Sequence, residues 1–320
     1  MQIAAEETVF PLAQVFTISR GSRTEARVVT VTVSDGVHTG RGECVPYARY
    51  DETVESVLAQ VRSCEAAHRD SLQNTLAPGA ARNALDCALW DLEAKRAGRR
   101  VWDLAGIAAP APAITAYTLS LATPEKMRED AATHAHRPLL KIKLGGEGDM
   151  ARLEAVRAGA PNTDIIIDAN EGWSADEYAE LAPALLRLGV KMVEQPLPAG
   201  ADDMLAEIER PLPVCADEAC HDRASLPKLA GKYDMINIKL DKTGGLTEAL
   251  ALRDAARNEG YAVMVGCMVG SSLAMAPATL LTAGAAFTDL DGPLLLAEDR
   301  DHPLTFDHAG VHPPAPQLWG

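Results

Sequence analysis

Three acidic residues close successive apolar runs of the sequence at nearly constant spacing. Asp168 lies at the end of "DIIIDAN", Glu194 in "VKMVEQP" and Asp217 in "LPVCADE", at intervals of 26 and 23 positions. If parallel strands bring these ends to one edge, three carboxylates converge, repel one another and take up protons unless a cation neutralises them. Oxygen ligands select a hard divalent ion, so the three residues predict a Mg²⁺ site.

Lysines occupy the neighbouring runs. Lys141 and Lys143 lie two apart in "LLKIKLG", which places both side chains on one face of a strand, and Lys239 lies in "DMINIKL". These lysines flank the predicted metal from opposite sides. We expect the metal, and for Lys143 also the adjacent Lys141, to lower the amine pKa and leave some neutral base. One lysine can then remove the α-proton of a carboxylate substrate and the other return a proton to the opposite face, with Mg²⁺ and Lys141 stabilising the enediolate.

The runs that carry these residues belong to a repeat of strand, turn and helix that starts near residue 112. Eight strand-like runs occur at 113–120, 139–145, 164–170, 190–196, 212–218, 234–240, 261–267 and 286–292. Their spacing leaves room for crossover helices, and helical patterns at 175–189 and 247–260 lie between them. Eight such units predict a (β/α)₈-type barrel, in which chemistry takes place at the carboxyl ends of the strands.

The first 110 residues have a different pattern. Residues 26–44 alternate around the turn "SDG" and predict a hairpin, and residues 81–98 carry an apolar helical stripe that stops at Gly98. We therefore divide the chain into an α+β region at 1–110 and a barrel at 111–299, joined near 105–113.

Composition and charge exclude several classes of function. Hydrophobic residues make up 47% of the 320, as in globular proteins, and the formal net charge of −15 argues against nucleic acid because its phosphates would be repelled. We expect no signal peptide and no membrane span, because no apolar run has the required length or flanks. The six cysteines show no CxxC spacing, so we expect reduced thiols in a cytoplasmic protein. The oligomeric state, monomer or homo-oligomer, is left open.

Together these motifs resemble the muconate-lactonizing subgroup of the enolase superfamily. The resemblance covers nearly the whole chain and rests on "KIK" at 141–143, "DAN" at 168–170, "EQPLP" at 194–198, "ADE" at 216–218, "NIKLDKTGG" at 237–245 and "GCMVGSSLA" at 266–274. It implies a modified (β/α)₇β barrel, one Mg²⁺ and an α+β capping domain that residues from about 300 to 320 complete. It also implies that Lys143 acts on the L residue and Lys239 on the D residue of the substrate.

Two further acidic residues, Asp289 and Asp291 in "DLDG", indicate the kind of substrate. Period-two spacing places both carboxylates on one face of the eighth strand, outside the metal set, where free anions suit an ammonium group. The chain is similar here to dipeptide epimerases, and the resemblance implies that this pair holds the free amino terminus of a dipeptide.

The capping region supplies the remaining predicted contacts. Arg20 and Arg23, in the stretch "SRGSRTEARVV" at 19–29, are predicted to lie in a loop over the barrel mouth. The resemblance implies that an arginine of this loop meets the side-chain carboxylate of a C-terminal glutamate. We assign Arg23 to this contact, with Arg20 and Arg49 as competitors. The motif at 266–274 adds Cys267 and Met268 as residues expected to line the substrate site.

Other polar residues near these motifs keep more than one interpretation. Asn170 and Glu218 either orient the metal ligands or are polar loop residues. Lys242, in the stretch "KLDKTGG", is expected to be solvated.

The leading hypothesis is an isomerase, a dipeptide epimerase that acts on L-Ala-D/L-Glu in murein peptide recycling. The alternatives within the fold are an N-acylamino-acid racemase and an o-succinylbenzoate synthase-like lyase, neither of which needs an ammonium site. A metal-binding protein without catalytic activity is a third interpretation, against which the two predicted buried lysines count.

Overall fold

The computed structural model describes residues 1–65 and 68–320. Its strands are β1 (Gln2–Ile18), β2 (Gly21–Ser34), β3 (Thr39–Cys44), β4 (Tyr117–Leu119), β5 (Leu139–Lys143), β6 (Asp164–Asp168), β7 (Val190–Glu194), β8 (Val214–Ala216), β9 (Met235–Ile238), β10 (Ala262–Val265), β11 (Phe287–Thr288), β12 (Phe306–Asp307) and β13 (Gly310–Val311). Its α-helices are α1 (Val54–Ser63), α2 (Arg69–Thr75), α3 (Ala80–Ala97), α4 (Val101–Leu104), α5 (Pro124–His134), α6 (Asp149–Gly159), α7 (Ala175–Arg187), α8 (Leu226–Leu229), α9 (Leu240–Thr243), α10 (Leu246–Asn258) and α11 (Ser272–Ala278).

An antiparallel sheet in the order β1–β2–β3 forms the N-terminal part, and α1, α2 and α3 bury one of its faces. Glycines let the long helix α3 approach β3 closely: a Cβ at Gly42 would stand 2.1 Å from the carbonyl oxygen of Ala84. The predicted hairpin at 26–44 is confirmed by β2 and β3, and the predicted helix at 81–98 by α3.

The capping region has more strand than the sequence analysis predicted. β1 pairs with β2 in a long hairpin, in which Phe16 lies opposite Arg23 and Ile18 opposite Gly21. The predicted loop is therefore correct for Arg20, which with Ser19 forms the turn, and wrong for Arg23, which lies on β2.

The second part is an eight-stranded parallel sheet in the order β4 to β11, and each predicted strand contains the observed one. Apolar residues on the inward faces fill the barrel below its mouth, among them Ile166, Met192 and Met264. Among the described residues, β7 and β8 are joined through a 3₁₀ turn at Asp203–Ala206, and β11 is followed by a 3₁₀ turn at Gly292–Leu295 rather than a helix. The expected modified (β/α)₇β barrel, whose last strand is not followed by a crossover helix, is confirmed.

Backbone and side-chain hydrogen bonds close the barrel between its first and last strands. The amide of Ala116 donates to the carbonyl of Thr288 at 2.8 Å, and the amide of Thr118 donates to Oδ2 of Asp291 at 2.6 Å. Asp291, one of the two aspartates predicted to bind the substrate, therefore also joins the two edge strands.

The C-terminal segment runs back to the N-terminal part. The guanidinium of Arg41 donates to the carbonyls of Gln317 and Leu318, and the indole of the fully buried Trp319 donates to the carbonyl of Cys87 at 3.0 Å. Within residues 1–65 and 68–320, none of the helices combines the length and apolar character that a bilayer span requires.

Candidate active site

Three strand ends bring the predicted metal ligands together. Asp168 and Glu194 are the last residues of β6 and β7 and lie opposite each other in the sheet register, while Asp217 directly follows β8. Each carboxylate offers an oxygen atom within 4.8 Å of the other two, and all three side chains are buried. A buried set of oxygen donors at this separation suits a hard divalent cation.

The electrostatics of the three carboxylates also fit a cation. Burial and the neighbouring Asp168 raise the pKa of Glu194 to about 7, because its charged form is poorly solvated and repelled. Burial opposes ionisation of Asp168 and Asp217 as well, but nearby lysines outweigh it and hold both pKa values below their usual range. A divalent ion bound by the three residues would relieve the repulsion that acts on Glu194.

The two predicted bases approach this cluster from opposite sides. Nζ of Lys143, on β5, lies 2.5 Å from Oδ2 of Asp168, and Nζ of Lys239, just after β9, lies 2.6 Å from Oδ2 of Asp217. Burial alone would lower the pKa of Lys239, but Asp217 and Glu194 raise it well above the usual value. The predicted lowering of the lysine pKa therefore requires that a cation neutralise these carboxylates.

Lys141 connects the three carboxylates to the eighth strand. Its Nζ lies 2.6 Å from Glu194, 3.2 Å from Asp168 and 2.7 Å from Oδ2 of Asp289. Burial opposes its charge, but Asp289, Glu194 and Asp168 raise the pKa of Lys141 well above the usual value, so this lysine stays protonated and positively charged.

Asp289 and Asp291 follow β11 rather than lie on it, since the strand ends at Thr288. Oδ1 of Asp289 is buried and has no hydrogen-bond partner among the described residues. Burial and Asp289 raise the pKa of Asp291 to about 7, as expected for two neighbouring carboxylates. The pair therefore has an unused acceptor and an excess of negative charge, both of which an ammonium group can satisfy.

An open pocket joins the barrel mouth to the N-terminal hairpin. The predicted site residues that line it are Arg20, Arg23, Lys141, Lys143, Asn170, Asp217, Glu218, Lys239, Cys267, Met268, Asp289 and Asp291. Phe16, Ile18, Tyr50 and Leu295 also line the pocket, although the sequence analysis did not select them.

The three arginines that compete for a substrate carboxylate differ in their partners. Arg20 lies 2.7 Å from Oε1 of Glu218, and Arg49 lies 2.8 Å from Oε1 of Glu171. Arg23 lines the pocket with its guanidinium 5.9 Å from the ring centre of Tyr47, and it is absent from the ion pairs of the described residues. Of the three, Arg23 is the cation left available for a ligand.

Asn170 and Glu218 both lie next to the metal-binding residues. The backbone N–H of Asn170 donates to Oδ1 of Asp168 at 2.9 Å, and Glu218, which follows Asp217, accepts from Arg20 at 2.7 Å. The contact between Arg20 and Glu218 ties the tip of the β1–β2 hairpin to the end of the strand that carries Asp217.

The prediction that Lys242 is solvated was wrong. Its side chain is fully buried, and Nζ donates to Oδ1 of Asp217 at 2.6 Å and to the carbonyl of Asn237 at 3.0 Å. The short helix α9 causes this placement, because the chain turns back after Lys239 and directs the side chain of Lys242 toward Asp217.

The sequence analysis missed two residues that fix the carboxylates. Asn237 donates to Oε1 of Glu194 at 2.7 Å, and Oε1 of Gln195 accepts from the amide of Asp217 at 2.9 Å. Asn237 could have been found from its spacing, since it lies two positions before Lys239 and so shares its face of β9.

The geometry agrees with comparisons against known proteins. Residues 3–106 match the family model of the mandelate racemase / muconate lactonizing enzyme N-terminal domain, and residues 125–316 match the enolase C-terminal domain-like model. The L-Ala-D/L-Glu epimerase of Escherichia coli (strain K12) is 47% identical over 313 residues, which cover 96% of this chain and 98% of that protein. The N-acetyl-D-glutamate racemase of Pseudoalteromonas sp is 44% identical, over 92% of this chain and 95% of that protein.

A solved structure extends the similarity to the whole fold. It is an enolase family member from Agrobacterium tumefaciens with homology to dipeptide epimerases, described with bound sodium, L-Ala-L-Glu and an ordered loop. It is 53% identical, covers 99% of both chains and superposes with a TM-score of 0.97. From the two family matches and these relatives, the chain belongs to the enolase superfamily, in its mandelate racemase / muconate lactonizing enzyme branch.

Proposed function

We propose that the chain is a dipeptide epimerase, an isomerase that inverts the α-carbon of the C-terminal residue and acts on L-Ala-D/L-Glu. The observation that carries this proposal is the unused, buried carboxylate oxygen of Asp289 in a pocket between two opposed lysines. The E. coli relative is an L-Ala-D/L-Glu epimerase, and the A. tumefaciens relative was solved with L-Ala-L-Glu, which supports the same substrate class.

Lys143 and Lys239 would exchange the α-proton from opposite faces of the substrate. One neutral amine accepts the proton, the C–H electron pair moves onto the substrate carboxylate, and the opposite ammonium donates a proton to form the new C–H bond. The cationic Lys141 stabilises the negative charge that develops on that carboxylate. Because the two bases lie on β5 and just after β9, the rigid barrel fixes their separation.

We assign the metal position to Asp168, Glu194 and Asp217 and propose Mg²⁺ as its occupant, since all donors are carboxylate oxygens. When bound, Mg²⁺ supplies positive charge that makes the α-proton more acidic. Asn170 and Glu218 help to hold the strand ends that carry these ligands.

Substrate recognition would use both parts of the chain. Asp289 and Asp291 bind the free ammonium group, Arg23 binds the side-chain carboxylate of the C-terminal residue, and Cys267 and Met268 form part of the pocket wall. In this arrangement the charged groups of L-Ala-L-Glu each meet an opposite charge.

An N-acylamino-acid racemase is the second candidate, and the 44% identical N-acetyl-D-glutamate racemase favours it. An N-acyl group carries no charge, so it would leave the carboxylates of Asp289 and Asp291 without a cationic ligand in a buried setting. A dipeptide is therefore the better electrostatic match to Asp289 and Asp291. The two candidate functions can be distinguished by testing whether the substrate must have a free amino group.

The biological setting follows from the substrate class. We propose a cytoplasmic enzyme of murein peptide recycling, because the substrate class agrees with that role and all six cysteines are free. We also propose a capping domain at 1–110, completed by residues from about 300 to 320, and a catalytic barrel at 111–299.

Removal of divalent metal should abolish epimerisation, because the three carboxylates would otherwise hold the lysines as ammonium ions. Dialysis against a chelator followed by addition of Mg²⁺ should restore turnover, measured by polarimetry or proton NMR of L-Ala-L-Glu. Undiminished turnover by metal-free protein would contradict the metal assignment.

Asp291→Asn should reduce kcat/KM for L-Ala-L-Glu about tenfold or more, since a hydrogen bond to a charged group contributes about 1.5–3 kcal/mol. The asparagine oxygen can still accept from the amide of Thr118, so the join between β4 and β11 is kept. N-acetyl-L-Ala-L-Glu is the matched substrate without an ammonium group. If the wild-type chain converts both substrates equally well, the ammonium assignment is wrong.

Arg23→Ala should reduce kcat/KM for L-Ala-L-Glu about tenfold and leave L-Ala-L-Leu nearly unchanged, because only the first offers a side-chain carboxylate. Arg27→Ala is the matched control, since Arg27 also lies on β2 but its partly exposed side chain pairs with Glu7. Equal losses for the two dipeptides would show that Arg23 has a structural role and does not bind the side-chain carboxylate of the substrate.

A further inference from the structure

Glu171 gathers contacts from three separate segments at the rim of the barrel mouth. Its carboxylate accepts from Nε and Nη2 of Arg49 at 2.9 and 2.8 Å and from Nη1 of Arg20 at 3.2 Å. The amide of Ala199, in the segment after β7, also donates to Oε1 at 2.8 Å. The side chain of Glu171 is only 9% exposed, whereas those of Arg20 and Arg49 are 28% and 39% exposed, so these are charge-assisted contacts at the edge of the solvent.

The backbone around Glu171 is held in an unusual conformation. Asn170 and Glu171 have φ angles of 46° and 65°, in the left-handed region that residues with a Cβ rarely adopt. The amide of Glu171 donates to the carbonyl of Gln195 at 2.9 Å, which ties this turn to the end of β7. Backbone strain of this kind persists where surrounding contacts fix it, and here it aims the carboxylate at the capping region.

The segments that Glu171 holds carry the walls of the pocket. Arg20 lies at the tip of the β1–β2 hairpin, and this hairpin contributes Phe16, Ile18 and Arg23 to the pocket lining. Arg49 lies in the 3₁₀ turn Ala48–Tyr50, which contributes Tyr50. The bases, by contrast, lie on or next to barrel strands and have no contact with Glu171.

We propose that Glu171 is a positioning residue that fastens the hairpin tip and the Ala48–Tyr50 turn over the barrel mouth and so sets the affinity for substrate. We call Glu171 with Arg20, Arg49 and Ala199 the Glu171 latch. The inference that the latch acts on dipeptide affinity rests on the proposed function. Its mechanical part, the fastening of two capping segments to the barrel, does not.

The first test compares Glu171→Gln with wild-type full-length protein by hydrogen–deuterium exchange, without substrate. Glutamine can still accept from Ala199, so the fold should be kept, while the charge that binds Arg49 at two points and Arg20 at one is lost. Backbone amides near 47–50 should exchange about tenfold faster, since a hydrogen bond to a charged group contributes that factor or more. Amides near 17–23 should also exchange faster, but by a smaller factor, because Arg20 keeps its ion pair with Glu218 at 2.7 Å. Glu248→Gln is the matched control, because Glu248 forms a similar two-point pair with Arg223, at 2.9 and 2.8 Å, outside the pocket.

The second test separates KM from kcat. Glu171→Gln should raise KM about tenfold for both L-Ala-L-Glu and L-Ala-L-Leu and leave kcat nearly unchanged, because the capping walls loosen while the bases stay in place. Arg49→Ala breaks the same pair from the capping side and should have a similar effect. The double variant should lose less than the product of the two single losses.

The outcomes distinguish this inference from the proposed function. Wild-type exchange rates at both capping segments in Glu171→Gln and in Arg49→Ala would overturn the latch, whatever the substrate. Faster exchange in a chain that epimerises no dipeptide would support the latch and overturn the proposed function. A fall in kcat with unchanged KM would contradict the positioning role.

Discussion

The mutual neutralisation of buried carboxylates and lysines at the barrel mouth is the interaction on which the rest of the structure depends. Asp168, Glu194 and Asp217 are all fully buried, and none could stay ionised there without cationic partners. Removing one member would leave an uncompensated charge, which is strongly destabilising in a buried site. Side chains that must meet within a few ångströms also require a rigid support, and parallel strands with registered ends supply it.

The barrel and the capping sheet contribute different groups to the site around this cluster. In the proposed mechanism the barrel carries the groups that move protons and part of the pocket wall, whereas the capping sheet supplies Phe16, Ile18 and Arg23, the arginine that a substrate side chain would meet. Charge pairs such as Arg20–Glu218 and Arg49–Glu171 join the two parts at their rim. Among the residues that the structure describes, Arg23 forms no ion pair and Oδ1 of Asp289 has no hydrogen-bond partner, so both groups are available to a ligand that carries negative and positive charge.

Strand positions and the placement of the candidate site residues could be predicted in the barrel because chemistry and periodicity coincide there: each strand is a short apolar run, and the polar residues at the strand ends meet at the barrel mouth. The strand β1 gave no such signal, since it is largely exposed and its pairing shifts register between Pro11 and Phe16. Lys242 and Glu171 were not predictable from spacing, because the turn of α9 and a left-handed backbone decide where their side chains point. Such features depend on contacts between segments distant in sequence.

Proton exchange in D₂O by lysine variants tests the two-base account most directly. Lys239→Ala should still introduce deuterium at the α-carbon of L-Ala-L-Glu through Lys143, without forming L-Ala-D-Glu, and Lys143→Ala should do the reverse with the D epimer. Proton NMR of each epimer with each variant measures both processes at once. Interconversion of the two epimers by Lys239→Ala at an appreciable rate would contradict the account, because the second face of the α-carbon would then be protonated without its assigned donor.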